Sequence, residues 1–222
     1  MKILFAEARR NVELNKHEID SISTKLPKKL GILASIQYIN IVPYLKKEFE
    51  KKGKKVFISK GHLTQYSGQV LGCDVFAAIN IKNNVDAFLF IGSGKFHAMQ
   101  ISIQTKKPVF IWQPSAELTK ITPEEIKLFE NKRKVALIKF LHASEVGILV
   151  SSKPGQFQLK SAILLRKKLE KMNKKSFIFI FDTLNITELE NFSINSWVNT
   201  ACQNIILDDS RIINSNEINK IK

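Results

Sequence analysis

The sequence predicts an α/β protein composed of two similar domains, each a doubly wound parallel sheet. Three observations predict this fold. Short apolar segments with strand character alternate with amphipathic helical segments over nearly all of the 222 residues. The alternation pauses at residues 113–116, where Q-P-S-A is typical of a connection between domains. The two halves also open with similar segments, G-I-L-A-S at 31–35 and G-I-L-V-S at 147–151.

The first half alternates strands with helices. The predicted elements are, in chain order, strand 29–36, helix 39–52, strand 55–59, helix 74–81, strand 85–91, helix 95–104 and strand 108–112. This order predicts parallel strands joined by right-handed crossovers, and ligands of such sheets gather at the carboxyl ends of the strands. We therefore expect one domain at residues 29–114, carrying Cys73.

The second half repeats this scheme. Thr122 and Pro123 provide an N-cap and a first helical position for a helix that extends to about residue 143. The elements predicted after it are strand 146–151, helix 156–171, strand 176–181 and strand 197–200. We therefore expect another domain at residues 115–222, carrying Cys202, and we expect the two cysteines to meet between the domains.

The first 28 residues fit neither half. Residues 3–6 have the pattern of a single β-strand, and a polar stretch follows them. Because a single strand cannot form its own sheet, it needs strands from elsewhere. Residues 1–28 are therefore interpreted as a strand and a linker outside the two domains.

The composition indicates a soluble globular protein with a cytoplasmic location by default. Hydrophobic residues make up 44% of the chain, and no apolar run approaches the roughly 20 residues that span a bilayer. The apolar stretch at the N-terminus is too short for a signal peptide. In a reducing compartment, two cysteines are expected to be thiols or metal ligands rather than a disulfide.

The formal net charge of +15 raises the question of a nucleic-acid partner. The basic residues are mostly lysines scattered over predicted helix faces and turns, without an arginine-rich or aromatic-interleaved surface. A solvated surface is therefore favoured, with no direct nucleic-acid binding and no membrane contact. A polyanionic partner stays open as the alternative.

Candidate site residues lie in loops at predicted strand ends. These loops are G-Q-V-L-G-C-D at 68–74, G-S-G-K-F-H at 92–97, K-P-G-Q at 153–156 and T-A-C at 200–202, followed by Asp208 and Asp209. Glycines before a helix let the backbone approach an anionic ligand. Taken alone, however, G-S-G matches neither the P-loop nor the dinucleotide fingerprint, and an ordinary tight turn is an equal alternative.

The individual side chains have structural alternatives too. Each cysteine could be a small buried residue, and His97 could be a hydrogen-bonded structural histidine. Asp208 and Asp209 could form a turn or a helix cap. A zinc site formed by the two cysteines and histidines is a further alternative, but no C-x-x-C pair supports it.

Taken together, these loops resemble those of the diphthamide synthesis enzymes, the 2-(3-amino-3-carboxypropyl)histidine synthases. The resemblance extends from about residue 3 to residue 209 and corresponds to the second and third domains of that family. It implies a [4Fe–4S] cluster held by three cysteines, one from each of three similar domains, with one iron open to S-adenosylmethionine. It also implies that a 3-amino-3-carboxypropyl radical, released by reductive cleavage of the sulfonium, adds to a histidine of translation elongation factor 2.

The resemblance assigns roles to individual residues. It implies that Cys73 is the cluster ligand of the second domain and Cys202 that of the third. No residue is assigned as a catalytic acid or base. The residues implied to line the S-adenosylmethionine pocket are Gly92, Ser93, Gly94, His97, Lys153, Gly155 and Gln156, with Asp208 from the acidic pair.

Two features depart from the family pattern. Gln203 and Asn204 stand where the family usually has proline and arginine after the third-domain cysteine, and the first domain with its cysteine is absent. We therefore expect a split synthase, in which a separate chain supplies the first domain and the third cysteine. Residues 1–28 would then be a remnant of that first domain, and the strand at 3–6 would belong to its sheet. An electron donor and a homo- or heterodimeric assembly are expected as well. The alternatives are a non-catalytic supporting subunit and a protein that binds zinc or a small ligand.

Overall fold

The computed structural model describes residues 6–202 and 209–218, and the chain divides into two compact units, Met1–Ile126 and Lys127–Lys222. Each unit has its own sheet and its own apolar core. The prediction of an α/β fold with two sheets of mainly parallel strands is confirmed. The predicted strand at residues 3–6 lies almost entirely outside the described residues.

Unit 1 contains a sheet with helices on its faces. Its helices are α1 (Lys16–Lys25), α2 (Val42–Lys51), α3 (Phe76–Ile79) and α4 (Phe96–Thr105), with a 3₁₀ helix at Ile36–Ile41. Its strands are β1 (Lys29–Ala34), β2 (Lys55–Phe57), β3 (Ala87–Ile91), β4 (Val109–Trp112) and β5 (Thr119–Lys120). The strand order is β2-β1-β3-β4-β5, in which only β5 is antiparallel to its neighbour.

The boundaries of unit 1 differ from the predicted ones at both ends. Residues 16–25, expected to lie in a polar linker, form α1 and bury Ile19 and Ile22 in the core of the first sheet. At the other end, β5 pairs with β4 beyond the predicted boundary, and Ile121 is buried in the same unit. Burial of isoleucines at helical spacing thus attaches α1, whereas strand pairing and the burial of Ile121 attach the segment of β5.

Unit 2 has the same kind of architecture. Its helices are α5 (Pro123–His142), which begins just before the unit boundary, α6 (Leu159–Lys171) and α7 (Ser215–Ile218), with a 3₁₀ helix at Ile186–Asn191. Its strands are β6 (Glu145–Ser151), β7 (Lys175–Phe181), β8 (Trp197–Asn199) and β9 (Ile212–Asn214), all parallel in the order β7-β6-β8-β9.

The predicted start of α5 is confirmed by its hydrogen bonds. The Thr122 hydroxyl accepts from the Glu125 N–H at 3.2 Å, and the Glu125 carboxylate accepts from the Thr122 N–H at 2.9 Å. This reciprocal arrangement is a capping box. Further along the helix, Arg133 pairs with Glu217 of α7 and donates to the Ile212 carbonyl at 2.9 Å. Burial lowers the pKa of Arg133 to about 10.

The two sheets repeat one strand order, because β2-β1-β3-β4 corresponds to β7-β6-β8-β9. The repeat extends to the packing of a glycine against an aromatic side chain of the adjacent strand. A Cβ atom on Gly31 would lie 2.5 Å from the ring of Phe88, its register partner on β3. A Cβ atom on Gly147 would lie 2.2 Å from the ring of Trp197, its register partner on β8. In both units, glycine therefore makes room for an aromatic ring of the adjacent strand.

The substitution Gly147→Ala tests this packing. The added methyl group must displace the buried Trp197 ring, so we expect it to lower the free energy of unfolding of unit 2 by about 1–3 kcal/mol. Urea unfolding followed by tryptophan fluorescence measures the change. The control is Leu164→Ala, on the exposed face of α6, with an expected change within about 0.5 kcal/mol. Equal midpoints for the Gly147 variant and the parent protein would contradict the packing argument.

Candidate functional site

The loop that carries Cys73 is attached to the carboxyl end of β1. The Ala34 N–H donates to the Gly68 carbonyl at 2.8 Å, and the Val70 N–H donates to the Ala34 carbonyl at 3.0 Å. Gln69 forms a parallel bridge with Ala34. Its buried amide oxygen accepts from two further backbone N–H groups of the loop at 3.1 Å. The loop therefore has a fixed position at the edge where ligands of parallel sheets bind.

Cys73 lies at the tip of a two-residue turn. Leu71 and Asp74 exchange backbone hydrogen bonds of 3.0 and 3.1 Å, with Gly72 and Cys73 between them. The Asp74 carboxylate accepts from the Leu63 N–H at 2.5 Å and the Phe76 N–H at 3.0 Å. The Cys73 side chain is exposed and not in a disulfide. The turn thus leaves Cys73 at an exposed position rather than in the core.

The glycine loop 92–94 adjoins the cysteine loop. A Cβ atom on Gly72 would lie 1.8 Å from the Phe96 ring in the first turn of α4, so the two loops are packed together. The Gly92 N–H donates to the Trp112 carbonyl at 3.0 Å, which anchors the glycine loop to β4. Gly94 has a φ of +77°, and a Cβ atom there would meet nothing within 4 Å. There is thus open space beside the N-terminus of α4.

His97 is packed between aromatic rings. It stacks on Phe90 with a centroid distance of 5.4 Å and meets Phe96 edge-on at 5.4 Å. Burial lowers the pKa of His97, which favours the neutral imidazole. The ring is thus a packing element beside the glycine loop.

Ser35 is a site residue that the sequence interpretation did not identify. It follows β1, and its hydroxyl lies 3.1 Å from the position of a Cβ on Gly92. Its Oγ is buried and has no hydrogen-bond partner within the part of the chain that the structure describes. The signal for it was present in the repeated G-I-L-A-S and G-I-L-V-S segments, whose last residues are Ser35 and Ser151.

In unit 2, the residue before the T-A-C segment holds the second cysteine in place. The Asn199 amide donates to the Cys202 carbonyl at 2.9 Å, and its oxygen accepts from the Ala201 N–H at 3.0 Å. The backbone and the hydroxyl of Thr200 both donate to the Leu149 carbonyl of β6, at 3.0 and 2.8 Å. Cys202 is partly buried at the carboxyl end of β8. Thr200 belongs to the predicted T-A-C loop, whereas Asn199 was not predicted as a site residue.

The K-P-G-Q segment forms a turn after β6. The Gln156 N–H donates to the Lys153 carbonyl at 3.0 Å, and Gly155 has a φ of +80°. Lys153 and Gly155 are exposed. The amide oxygen of Gln156 is buried and has no hydrogen-bond partner among residues 6–202 and 209–218. Since β6 and β8 are neighbours, this turn and the Cys202 segment both lie at the carboxyl edge of sheet β7-β6-β8-β9.

The acidic pair is only partly described, because Asp208 lies outside the described residues, as do Gln203 and Asn204. Asp209 accepts from the Arg211 N–H at 2.6 Å and from its guanidinium at 2.7 Å. Burial acts to raise the pKa of Asp209, but these hydrogen bonds and the charge of Arg211 outweigh it and hold the pKa below its ordinary value. Asp209 thus forms a turn with Arg211.

The two cysteines occupy different places in the repeat. Cys73 lies between β2 and β3, whereas Cys202 follows β8, the counterpart of β3. The pairing of Gly31 with Phe88 and of Gly147 with Trp197 makes Ser93 the counterpart of Cys202. Within the described residues, no three His, Cys, Asp or Glu side chains form a metal site. Each unit thus offers one thiol.

Comparison with known proteins identifies the family. The sequence profile of the diphthamide synthesis proteins matches residues 1–215. The chain belongs to the diphthamide synthesis family. It is 32% identical over 200 residues to the 2-(3-amino-3-carboxypropyl)histidine synthase of Pyrococcus horikoshii, with 89% of this chain and 56% of that protein covered. Subunit 1 of the same synthase from Schizosaccharomyces pombe is 24% identical, with 94% of this chain and 49% of that protein covered.

A solved structure agrees with this assignment to the diphthamide synthesis family. The crystal structure of Dph2 from Pyrococcus horikoshii with a 4Fe-4S cluster matches with a TM-score of 0.76 and 30% identity, over 91% of this chain and 59% of that chain. The chain thus spans about half the length of the curated relatives that it matches. None of the helices in the described part of the chain is both long and apolar enough to cross a membrane.

The packing of His97 predicts a pH dependence of stability. Its pKa is lowered by burial from the ordinary value of 6.5, so the unfolded chain binds this proton more readily than the folded one. The stabilising contribution is complete above about pH 6.5 and is lost as the pH falls towards the folded-state pKa. We expect His97→Phe, which keeps a ring but cannot titrate, to lose less stability than the parent protein between about pH 7.5 and 5.5.

Thermal unfolding at the two pH values measures this difference. His142→Phe, at an exposed histidine, is the matched control and should follow the parent protein. An identical loss of stability in the His97 variant and the parent protein would exclude this role of the buried imidazole.

Proposed function

We propose that this chain forms part of a 2-(3-amino-3-carboxypropyl)histidine synthase. It would transfer the 3-amino-3-carboxypropyl group of S-adenosylmethionine to a histidine of translation elongation factor 2, the first step of diphthamide formation, in the cytoplasm. The observation that carries this proposal is the pair of ordered cysteine loops. Cys73 and Cys202 each lie at the carboxyl edge of a parallel sheet, in a chain of the diphthamide synthesis family.

The residues present fit a [4Fe–4S] cluster shared with another domain. Cysteine thiolates are the ligands of such clusters, and Cys73 lies in an exposed turn at the carboxyl edge of its sheet. When bound, the cluster would supply the electron that cleaves the sulfonium of S-adenosylmethionine. The 222 residues contain two cysteines, so a third thiolate must come from elsewhere. We propose that a first domain of the assembly supplies it, and that an electron donor reduces the assembly.

The polar groups beside the cysteine loops fit S-adenosylmethionine. The Ser35 hydroxyl and the Gln156 amide oxygen are buried without partners among the described residues, so each has hydrogen-bonding capacity for a ligand. Above Gly94 there is space for a ligand, and the N-terminal amides of α4 favour a negative group such as the substrate carboxylate. Within unit 2, the exposed Lys153 carries a positive charge at the carboxyl edge of its own sheet.

Anaerobic reconstitution tests the cluster assignment. We expect the chain, combined with a chain carrying the first domain, to show the absorption and the reduced-state EPR signal of a [4Fe–4S] cluster. Cys73→Ser and Cys202→Ser should each abolish or strongly diminish both signals, because each removes one ligand. Ser93→Ala, beside the site but without a thiol, is the control. A full signal in the double serine variant would refute the assignment.

The same variants separate the alternatives. If cells producing the Cys73→Ser, Cys202→Ser double variant still form diphthamide, the chain is a supporting subunit rather than a cluster-binding one. Zinc without iron and sulfide in the anaerobically purified assembly would instead indicate a zinc protein.

A second experiment tests the S-adenosylmethionine pocket without turnover. In the reconstituted assembly, Ser35→Ala should weaken binding of S-adenosylhomocysteine about fivefold, since one neutral hydrogen bond contributes about 1 kcal/mol. Isothermal titration calorimetry measures the affinity. Ser21→Ala, at an exposed position of α1, is the control and should bind like the parent protein. Unchanged affinity of the Ser35 variant would remove this residue from the pocket.

A further inference from the structure

Helix α5 presents two opposite faces that are both partly apolar. One face packs on the sheet of unit 2 through Arg133, Ala136 and Phe140, of which Ala136 and Phe140 are fully buried. At 100° per residue, the helix face opposite to these side chains is formed by positions 128, 131, 135, 138 and 142. A surface helix normally has a polar outer face. The outer face of α5 departs from this pattern, because it carries apolar side chains although the helix already packs on the sheet through its other face.

The outer face exposes several large apolar side chains. The exposed fractions are 59% for Leu128, 42% for Val135 and 55% for Ile138, and Leu141 at its border is 47% exposed. Single exposed apolar residues are common on protein surfaces, but a row of them along one helix marks an interaction site. The other exposed positions of the row are occupied by Asn131 and His142.

The spacing of the row is that of a coiled-coil seam. Positions 128, 131, 135, 138 and 142 follow the alternating steps of three and four residues that define the a and d positions of a heptad. A seam of this kind packs against the apolar stripe of another helix. The row extends from residue 128 to residue 142, which is about two heptads, and Glu124 occupies the d position before it.

Over residues 127–142, all charged side chains at the e and g positions beside the seam are lysines. Nearer the start of α5, Glu125 occupies an e position and pairs with Lys95. The flanking e and g positions of residues 127–142 are occupied by Lys127, Lys132, Lys134 and Lys139, with Leu141 at the remaining one. Glu130, the acidic residue in this stretch of the helix, lies on the side nearer the packed face. Residues at e and g select partners by charge, so four lysines favour a helix with Glu or Asp at these positions. They disfavour a second copy of this chain, because its lysines would repel them.

We propose that the outer face of α5 is a docking site for an amphipathic helix of a partner protein that carries acidic residues beside its apolar stripe. The apolar seam provides burial, and the lysines determine which helix is accepted. The inference does not depend on the proposed transfer reaction.

Binding of two matched synthetic peptides tests the proposal. Both peptides have about three heptads with Ile and Leu at a and d, and they differ in having Glu or Lys at e and g. We expect the full chain to bind the Glu peptide, measured by fluorescence anisotropy, and not the Lys peptide. Val135→Asp with Ile138→Asp should weaken this binding at least about tenfold. Raising the salt from about 0.05 M to about 0.5 M should weaken it as well.

The control variant is Leu164→Asp, which changes an apolar side chain of α6 that is 67% exposed and outside the seam. It should bind the Glu peptide like the parent protein, and equal melting temperatures should show that all variants are folded. Equal binding of both peptides, or full binding by the double Asp variant, would overturn the proposal. So would α5-dependent dimerisation in analytical ultracentrifugation, or preferential binding of a single-stranded RNA oligonucleotide that the double Asp variant abolishes.

Discussion

In each unit, an aromatic ring of one strand lies directly over a glycine of the adjacent strand, and the register of the sheet depends on this contact. Phe88 covers Gly31 in unit 1, and Trp197 covers Gly147 in unit 2. Because side chains alternate between the two faces of a sheet, a shift of the pairing by one residue would turn the ring away from the glycine. The register in turn aligns the carboxyl ends of neighbouring strands. The loops that follow these strands therefore begin side by side.

Carbonyl groups at these strand ends then hold the loops. The Ala34 carbonyl accepts from Val70 of the Cys73 loop, and the Leu149 carbonyl accepts twice from Thr200 before Cys202. Backbone positions therefore determine where both thiols lie, whereas side chains such as Asp74 set the local turn. In unit 2, the Asn199 side chain adds hydrogen bonds to Ala201 and Cys202, so that backbone and side-chain contacts together hold the segment of this cysteine.

Sequence reasoning predicted the alternation, the two sheets and the loops, because periodic apolar segments and glycine turns are local signals. It interpreted the segment of α1 as a polar linker. Only two isoleucines at helical spacing, Ile19 and Ile22, distinguish a packed helix from a linker in this segment. It did not identify Ser35 or Asn199, because an unpartnered hydroxyl and an amide clamp are properties of three-dimensional surroundings. The family resemblance drew attention to the two cysteines as implied cluster ligands. The hydrogen bonds that hold their loops are visible only in the structure.

The different locations of the two cysteines within one repeated topology have a further consequence. If the thiols had been copied together with the fold, a cysteine would stand at position 93, where the sequence has Ser93. The repeated scaffold thus preserved the edge at which loops converge, but not the loop that carries the sulfur. The same edge of either sheet can therefore present a thiol from different loops. Internal symmetry of the backbone is therefore a poor guide to ligand positions in folds of this kind, and the environment of each strand end has to be considered separately.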